Sequence, residues 1–115
     1  MGMTAKEFLC NVSWSRKDLT CTEDLSLREI DEIFALADIF KAEVKKDRTK
    51  LPYLKGKTVV NLFFEPSTRT RTAFEMAAHK LGADVISFSS SISSSVKGET
   101  LKDTARNIEA LMADM

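Results

Sequence analysis

The feature that most constrains this chain is a junction, Phe63-Phe64-Glu65-Pro66-Ser67-Thr68-Arg69-Thr70-Arg71, set between two segments of different period. Before it, Thr58-Val59-Val60-Asn61-Leu62 is β-branched and apolar, the composition of a strand buried on both faces. After it, Thr72 to Leu81 reads as a helix, with Phe74, Ala77 and Leu81 on one stripe and Gly82 placed to stop it. A strand feeding a hydroxyl-rich turn that opens a helix is a geometry that binds phosphate. The first amides of the helix lack partners within it, and the helix dipole favours an anion there. Ser67, Thr68 and Thr70 add hydroxyl donors, and Arg69 and Arg71 add charge and forked hydrogen bonding. Arginines two apart cannot share a helix face, so one is expected at the ligand while the other braces the loop.

Composition narrows the function classes. The 115 residues amount to one small domain, able to bury a core while leaving much surface exposed. Lys and Arg number 17 and Asp and Glu 17, so no broad basic face for nucleic acid is indicated. No apolar run approaches the ~20 residues of a membrane span, and no signal-peptide core stands at the N-terminus. Cys10 and Cys21 lack metal-ligand spacing and read as reduced thiols, which places the protein in the cytoplasm. One histidine, His79, and two distant cysteines make no metal site; His79 reads as a structural residue of the helix after the turn. Gly-x-x-x-x-Gly-Lys-Ser/Thr and a dinucleotide fingerprint are both absent, so no nucleotide and no other cofactor is expected.

Residues 1–24 form an N-terminal arm in which Phe8, Leu9, Val12 and Trp14 either dock on a neighbouring surface or belong to a mobile segment. Ser26 and Glu29 then spell a capping box. Ile30, Ile33, Phe34, Ala37, Phe40 and Val44 recur at helical spacing beyond it, and the charged run Lys41 to Lys50 reads as a solvated helix end. Leu51 to Gly56 turns the chain into the first strand. Asp84-Val85-Ile86-Ser87-Phe88 is a second strand, so strand, helix and strand make a βαβ unit with parallel pairing. Ser89 to Ser95 is nearly all serine and by composition reads as a mobile loop or linker. Thr100, with Asp103 three residues on, caps a last helix whose stripe is Leu101, Ala105, Ile108, Leu111 and Met112, continued by Met115. Asn61, Met76 and Met112 read as fold residues. The stripe runs to the last residue without a capping glycine, which reads as the first part of a longer chain.

The junction, together with Ser93-Ser94-Ser95-Val96-Lys97-Gly98-Glu99-Thr100, resembles the aspartate/ornithine carbamoyltransferase superfamily, and its aspartate branch in particular. The resemblance runs from about Leu25 to the end of the chain. It implies an α/β fold, a parallel sheet flanked by helices, with residues 25–115 as the N-terminal part of the carbamoyl-phosphate-binding domain and the aspartate-binding domain absent. The implied activity moves the carbamoyl group of carbamoyl phosphate to L-aspartate, giving N-carbamoyl-L-aspartate and phosphate, an early step of pyrimidine synthesis. The Ser-Thr-Arg-Thr-Arg turn alone does not separate this from an ornithine or other carbamoyltransferase; the lysine loop favours aspartate.

By the same resemblance, Ser67, Thr68, Arg69 and Thr70 cradle the phosphate. Arg69 neutralises the leaving group, and the Thr70 hydroxyl reaches the carbonyl oxygen. Ser93 and Lys97 reach into the site of an adjacent subunit, which implies a homotrimer and admits regulatory chains as partners. Arg71 either contacts ligand or pairs with Glu75, and Glu99 holds the loop or caps the last helix. The serine segment becomes a site-closing loop rather than a linker. The family's histidine motif lies beyond these residues, so this chain alone is expected to transfer nothing. If 115 residues is the natural length, a non-catalytic phosphate-binding module is the alternative.

Overall fold

The computed structural model describes residues 2–89 and 100–115 and divides into two compact units, Met1–Arg48 and Thr49–Met115. In the first, helix α1 (Ala5–Asn11) packs on helix α2 (Leu27–Lys46). α1 lies in the stretch read as an arm. Its signal was the box Thr4-x-x-Glu7, whose reciprocal bonds both form: Thr4 Oγ1 accepts from the Glu7 amide and the Glu7 carboxylate from the Thr4 amide. Ala5 is fully buried and donates its N–H to Glu43 Oε1 at 2.8 Å. Residues Ile33 and Phe34, expected on the buried stripe of α2, are 37% and 65% exposed. Ile30, Phe40 and Val44 of that stripe are half-buried, as are Glu32, Leu36 and Glu43, and Ile33 lines a cavity with Glu32, Leu36 and residues of α1.

The second unit is α/β. Strand β1 (Thr58–Phe63) pairs in parallel with β2 (Asp84–Ser89), in register from Thr58 with Asp84 to Phe63 with Ser89. Helix α3 (Thr68–Lys80) connects them and helix α4 (Leu101–Ala110) follows. The core is small: Val59, Ala78 and Ala83 are buried, with Leu54 and Val85 packed against them. α3 begins four residues earlier than the sequence pattern predicts, because Pro66 blocks continuation upstream and Ser67 takes the cap position. Its buried contact is Ala78, small enough for close approach to the sheet. Phe74, expected in the core stripe, is 60% exposed and tilts against Phe63 with ring centroids 6.2 Å apart.

One face of β1, not both, is buried. Val59 and Asn61 are 8% and 7% exposed, while Thr58, Val60 and Leu62 are half-buried and Ile86 on the same outer face of β2 is 46% exposed. The other edge of β1 is bonded as well. The Met115 N–H donates to Thr58 O at 3.3 Å and the Val60 N–H to Met115 O at 2.7 Å, the pattern of a parallel ladder. The described sheet has two strands, with Met115 bonded to the free edge of β1 near its start, and the junction leaves the carboxyl end of β1. Asp114 secures this edge by accepting from the Thr58 amide at 2.8 Å and from Lys57 Nζ at 3.2 Å. Met112 and Met115 do not extend the α4 stripe. Met112 sits at φ 63° as the left-handed residue that closes the helix, a role usually given to glycine. At the end of α3 glycine is required: Gly82 has φ 91°, and a Cβ there would lie 2.6 Å from Leu51 O.

Candidate functional site

Parallel sheets bind ligands outside the carboxyl ends of their strands, and at the end of β1 the backbone is left open. The first helical bond of α3 runs from the Arg71 N–H to Ser67 O at 3.0 Å, so the amides of Thr68, Arg69 and Thr70 precede the intrahelical ladder. The Ser67 amide is already used, donating to Glu65 O at 2.7 Å. No side chain caps this end: the Ser67 hydroxyl donates to Thr70 Oγ1 at 2.8 Å instead of accepting from the turn's amides. The first turn carries no acidic residue. Unbonded amides, the positive end of the dipole and two guanidinium side chains therefore coincide, which is the electrostatic requirement for holding a phosphate dianion.

A cavity of about 170 Å³ opens beside this turn, lined by Phe63, Glu65, Pro66, Ser67, Thr68 and Arg71. Among the expected site residues, Ser67 and Thr68 line it, whereas Arg69 and Thr70 lie exposed on the same helical turn outside the lining. Arg71 is half-buried and supplies the guanidinium of the cavity wall. Among the described residues Arg71 forms no ion pair with Glu75, although both lie half-buried on one face of α3. Glu65 and Phe63 were legible only as part of the motif; their place on the wall follows from the bend at Glu65, whose carbonyl accepts from the Ser67 amide. Ser93, Lys97 and Glu99, and the serine segment from Ser90 onward, lie outside the described residues.

The first unit has a charged cluster with a different purpose. Arg16 Nε donates to Glu29 Oε1 at 2.6 Å, and its Nη2 donates to Glu29 Oε2 and to the Asp24 carbonyl. This fork, with the Ser26 amide, holds the Glu29 carboxyl down to about 2 and raises Arg16. Every charge there has its partner within the cluster, so it fastens the segment before α2 and leaves nothing for a ligand. Cys10 and Cys21 are both free and exposed. No described helix is long and apolar enough to cross a membrane.

Residues 17–115 match the family described as aspartate/ornithine carbamoyltransferase, carbamoyl-P binding domain. The aspartate carbamoyltransferase catalytic subunit of Opitutus terrae is 59% identical over 89% of this chain and 32% of its own length. The corresponding subunit of Campylobacter fetus is 57% identical over 90% and 34%. Among solved structures, the catalytic subunit of M. jannaschii aspartate transcarbamoylase superposes with a TM-score of 0.75 at 40% identity, covering 84% of this chain and 31% of that one. The Trypanosoma cruzi aspartate transcarbamoylase in complex with N-(phosphonacetyl)-L-aspartic acid gives 0.76 at 35% identity, covering 85% and 30%. The chain thus spans about a third of the length of the curated relatives it matches.

Proposed function

The chain belongs to the aspartate/ornithine carbamoyltransferase family, in its carbamoyl-phosphate-binding domain, and from that premise we propose that it forms part of an aspartate carbamoyltransferase. The reaction is attack by the amino nitrogen of L-aspartate on the carbonyl carbon of carbamoyl phosphate. The new C–N bond forms, the C–O bond to phosphorus breaks, and phosphate leaves with its electron pair while the amine gives up a proton. The products are N-carbamoyl-L-aspartate and phosphate, in pyrimidine synthesis. The observation that carries the reading is the open start of α3, where three amides and the Ser67 and Thr70 hydroxyls have no capping carboxylate among the described residues.

On this reading the amides and the Ser67 and Thr68 hydroxyls hold the phosphate, the Thr70 hydroxyl polarises the carbonyl, and Arg69 neutralises the leaving dianion. Donors fixed in advance at developing charge are usually the largest catalytic contribution. Arg69 is outside the cavity lining, so its role requires the ligand to sit along the helix start rather than deep in the pocket, where Arg71 waits. Residues 1–24 form the arm and 25–115 the N-terminal part of the domain. Ser93 and Lys97 complete the site of a neighbouring subunit in a cytoplasmic homotrimer, with regulatory chains as possible further partners. The choice of aspartate over ornithine is supported by relatives named as aspartate carbamoyltransferases at 59% and 57% identity.

The test is a bisubstrate assay of the full-length protein with aspartate and ornithine, combined with a titration of N-(phosphonacetyl)-L-aspartic acid followed by NMR or crystallography. Turnover of aspartate, with the phosphonate at the Ser67–Thr70 turn, is expected. Turnover of ornithine alone, or a ligand seated elsewhere, overturns the assignment. Mixing the Arg69→Ala and Lys97→Ala proteins tests the shared site: partial recovery of activity is expected, and a mixture as inactive as either parent places each site within one subunit.

A further inference from the structure

Asn61 and Ser87 are register partners across β1 and β2. They lie on the face that Val59 and Val85 turn toward Ala78 of α3, since alternate residues of a strand share a face. Asn61 is 7% exposed. Its Nδ2 and the Ser87 Oγ are both sealed from solvent, and among the described residues neither has a hydrogen-bond partner. The layer before them on this face is apolar, Val59 with Val85, and the layer after them pairs Phe63, tilted on Phe74, with Ser89. Two adjacent apolar side chains of similar shape would cost the fold nothing here, whereas unpaired buried donors are costly. Packing alone therefore does not account for an amide and a hydroxyl at these two positions.

We propose that Asn61 and Ser87 hold one internal water between them, and that this bridged pair positions the anion-binding turn. A water there accepts the Asn61 Nδ2 hydrogen and shares a second hydrogen bond with Ser87 Oγ, which meets the minimum of two polar partners that an ordered buried water needs. The pair lies two residues before Phe63 and Ser89, the ends of the two strands. From the end of β1 the chain enters the Ser67–Thr70 turn; from the end of β2 it enters the segment that carries Ser93 and Lys97. A bridge at this level fixes the separation and register of the two strands where both leave the sheet. Asn61 is thus a positioning residue, acting on the ligand only through the turn. The inference rests on the reading of that turn as the carbamoyl phosphate site.

Four variants of the full-length protein test it: Ser87→Ala, Asn61→Leu, the double variant, and Ser87→Thr, which keeps the hydroxyl. The double variant is expected to melt at or near the parent temperature, since both partners of the bridge are replaced by apolar groups and no polar group is left behind unsatisfied. Its KM for carbamoyl phosphate should rise roughly 10-fold, as a displacement of the turn by a fraction of an ångström predicts, with the KM for aspartate at saturating carbamoyl phosphate unchanged. Ser87→Thr should keep the parental values. A double variant with the parental KM for carbamoyl phosphate overturns the proposal. So does a high-resolution crystal structure in which the two groups bond directly to protein atoms with no water between them. If the double variant does not fold, the KM of Ser87→Ala decides in the same way. A parent that fails to bind carbamoyl phosphate would instead reject the functional reading, and the crystallographic water would still judge the bridge.

Discussion

Helices α2 and α3 begin with the same residue and end up with opposite chemistry. Each has serine at the cap, Ser26 and Ser67, and arginine two residues later, Arg28 and Arg69. They differ at the next position, Glu29 against Thr70. In α2 the Ser26 hydroxyl accepts from the Glu29 amide at 3.2 Å while the Glu29 carboxylate accepts from the Ser26 amide at 2.7 Å and is gripped by Arg16. Arg28 leans on Glu32 at 3.7 Å. In α3 the Thr70 hydroxyl accepts from Ser67 and brings no carboxylate to the cap, and among the described residues neither Arg69 nor Arg71 has a carboxylate within salt-bridge distance. A helix start that supplies its own anion is a structural joint, and one that withholds it remains available to a ligand.

The largest test of that contrast removes the guanidinium from each end. Arg69→Ala in the full-length protein should lower kcat for carbamoyl transfer by roughly 10²–10³-fold, the scale of a lost donor at developing charge. Arg28→Ala should stay within a few-fold of the parent, and equal losses at the two would dissolve the distinction.

Next in size, Thr70→Glu builds at α3 the box that α2 already has. A carboxylate set beside the expected dianion should weaken binding of N-(phosphonacetyl)-L-aspartic acid by roughly 100-fold or more in calorimetry. The same variant should raise helix stability by about 0.3–1.5 kcal/mol, seen as slower hydrogen exchange of the α3 amides. Binding retained at parental affinity would show that the anion does not use this end.

The serines themselves should trade places in a smaller effect. Ser26→Ala is expected to cost about 1 kcal/mol of local stability in α2, read by hydrogen exchange, and to leave ligand affinity alone. Ser67→Ala, which removes no cap bond, should leave exchange in α3 nearly unchanged while weakening the ligand. The smallest effect is in pH. Because the Arg16 fork holds Glu29 down to about 2, its contribution is present above the ordinary carboxylate range of about 4.3 and fades as the pH falls from there through about 2. Exchange of the amides near Asp24 should rise over that window, and Glu29→Gln should flatten the response.

Much of this was legible in the chain. The capping boxes at Ser26 and Thr100, the two strands and their parallel pairing, the stop at Gly82 and the turn that opens α3 each depend on residues within a few positions of one another, where local sterics and hydrogen bonding decide. Helix α1 was equally local in its Thr4-x-x-Glu7 signature, yet it is too short for its periodicity to stand out.

What the sequence by itself determined is the open turn: serine, threonine and arginine, with no acid in the first helical turn, make a helix start that brings no carboxylate of its own wherever such a helix forms. Only the tertiary structure decided which side chains are covered. Periodicity marked Phe74 and Phe34 for burial, but they are 60% and 65% exposed while Ala78 is buried, because burial depends on what lies opposite and no residue carries that information alone. The same holds for Asn61 and Ser87, distant in sequence and side by side across the sheet. Their sealed, unpaired polar atoms exist only because two strands and a helix close over them.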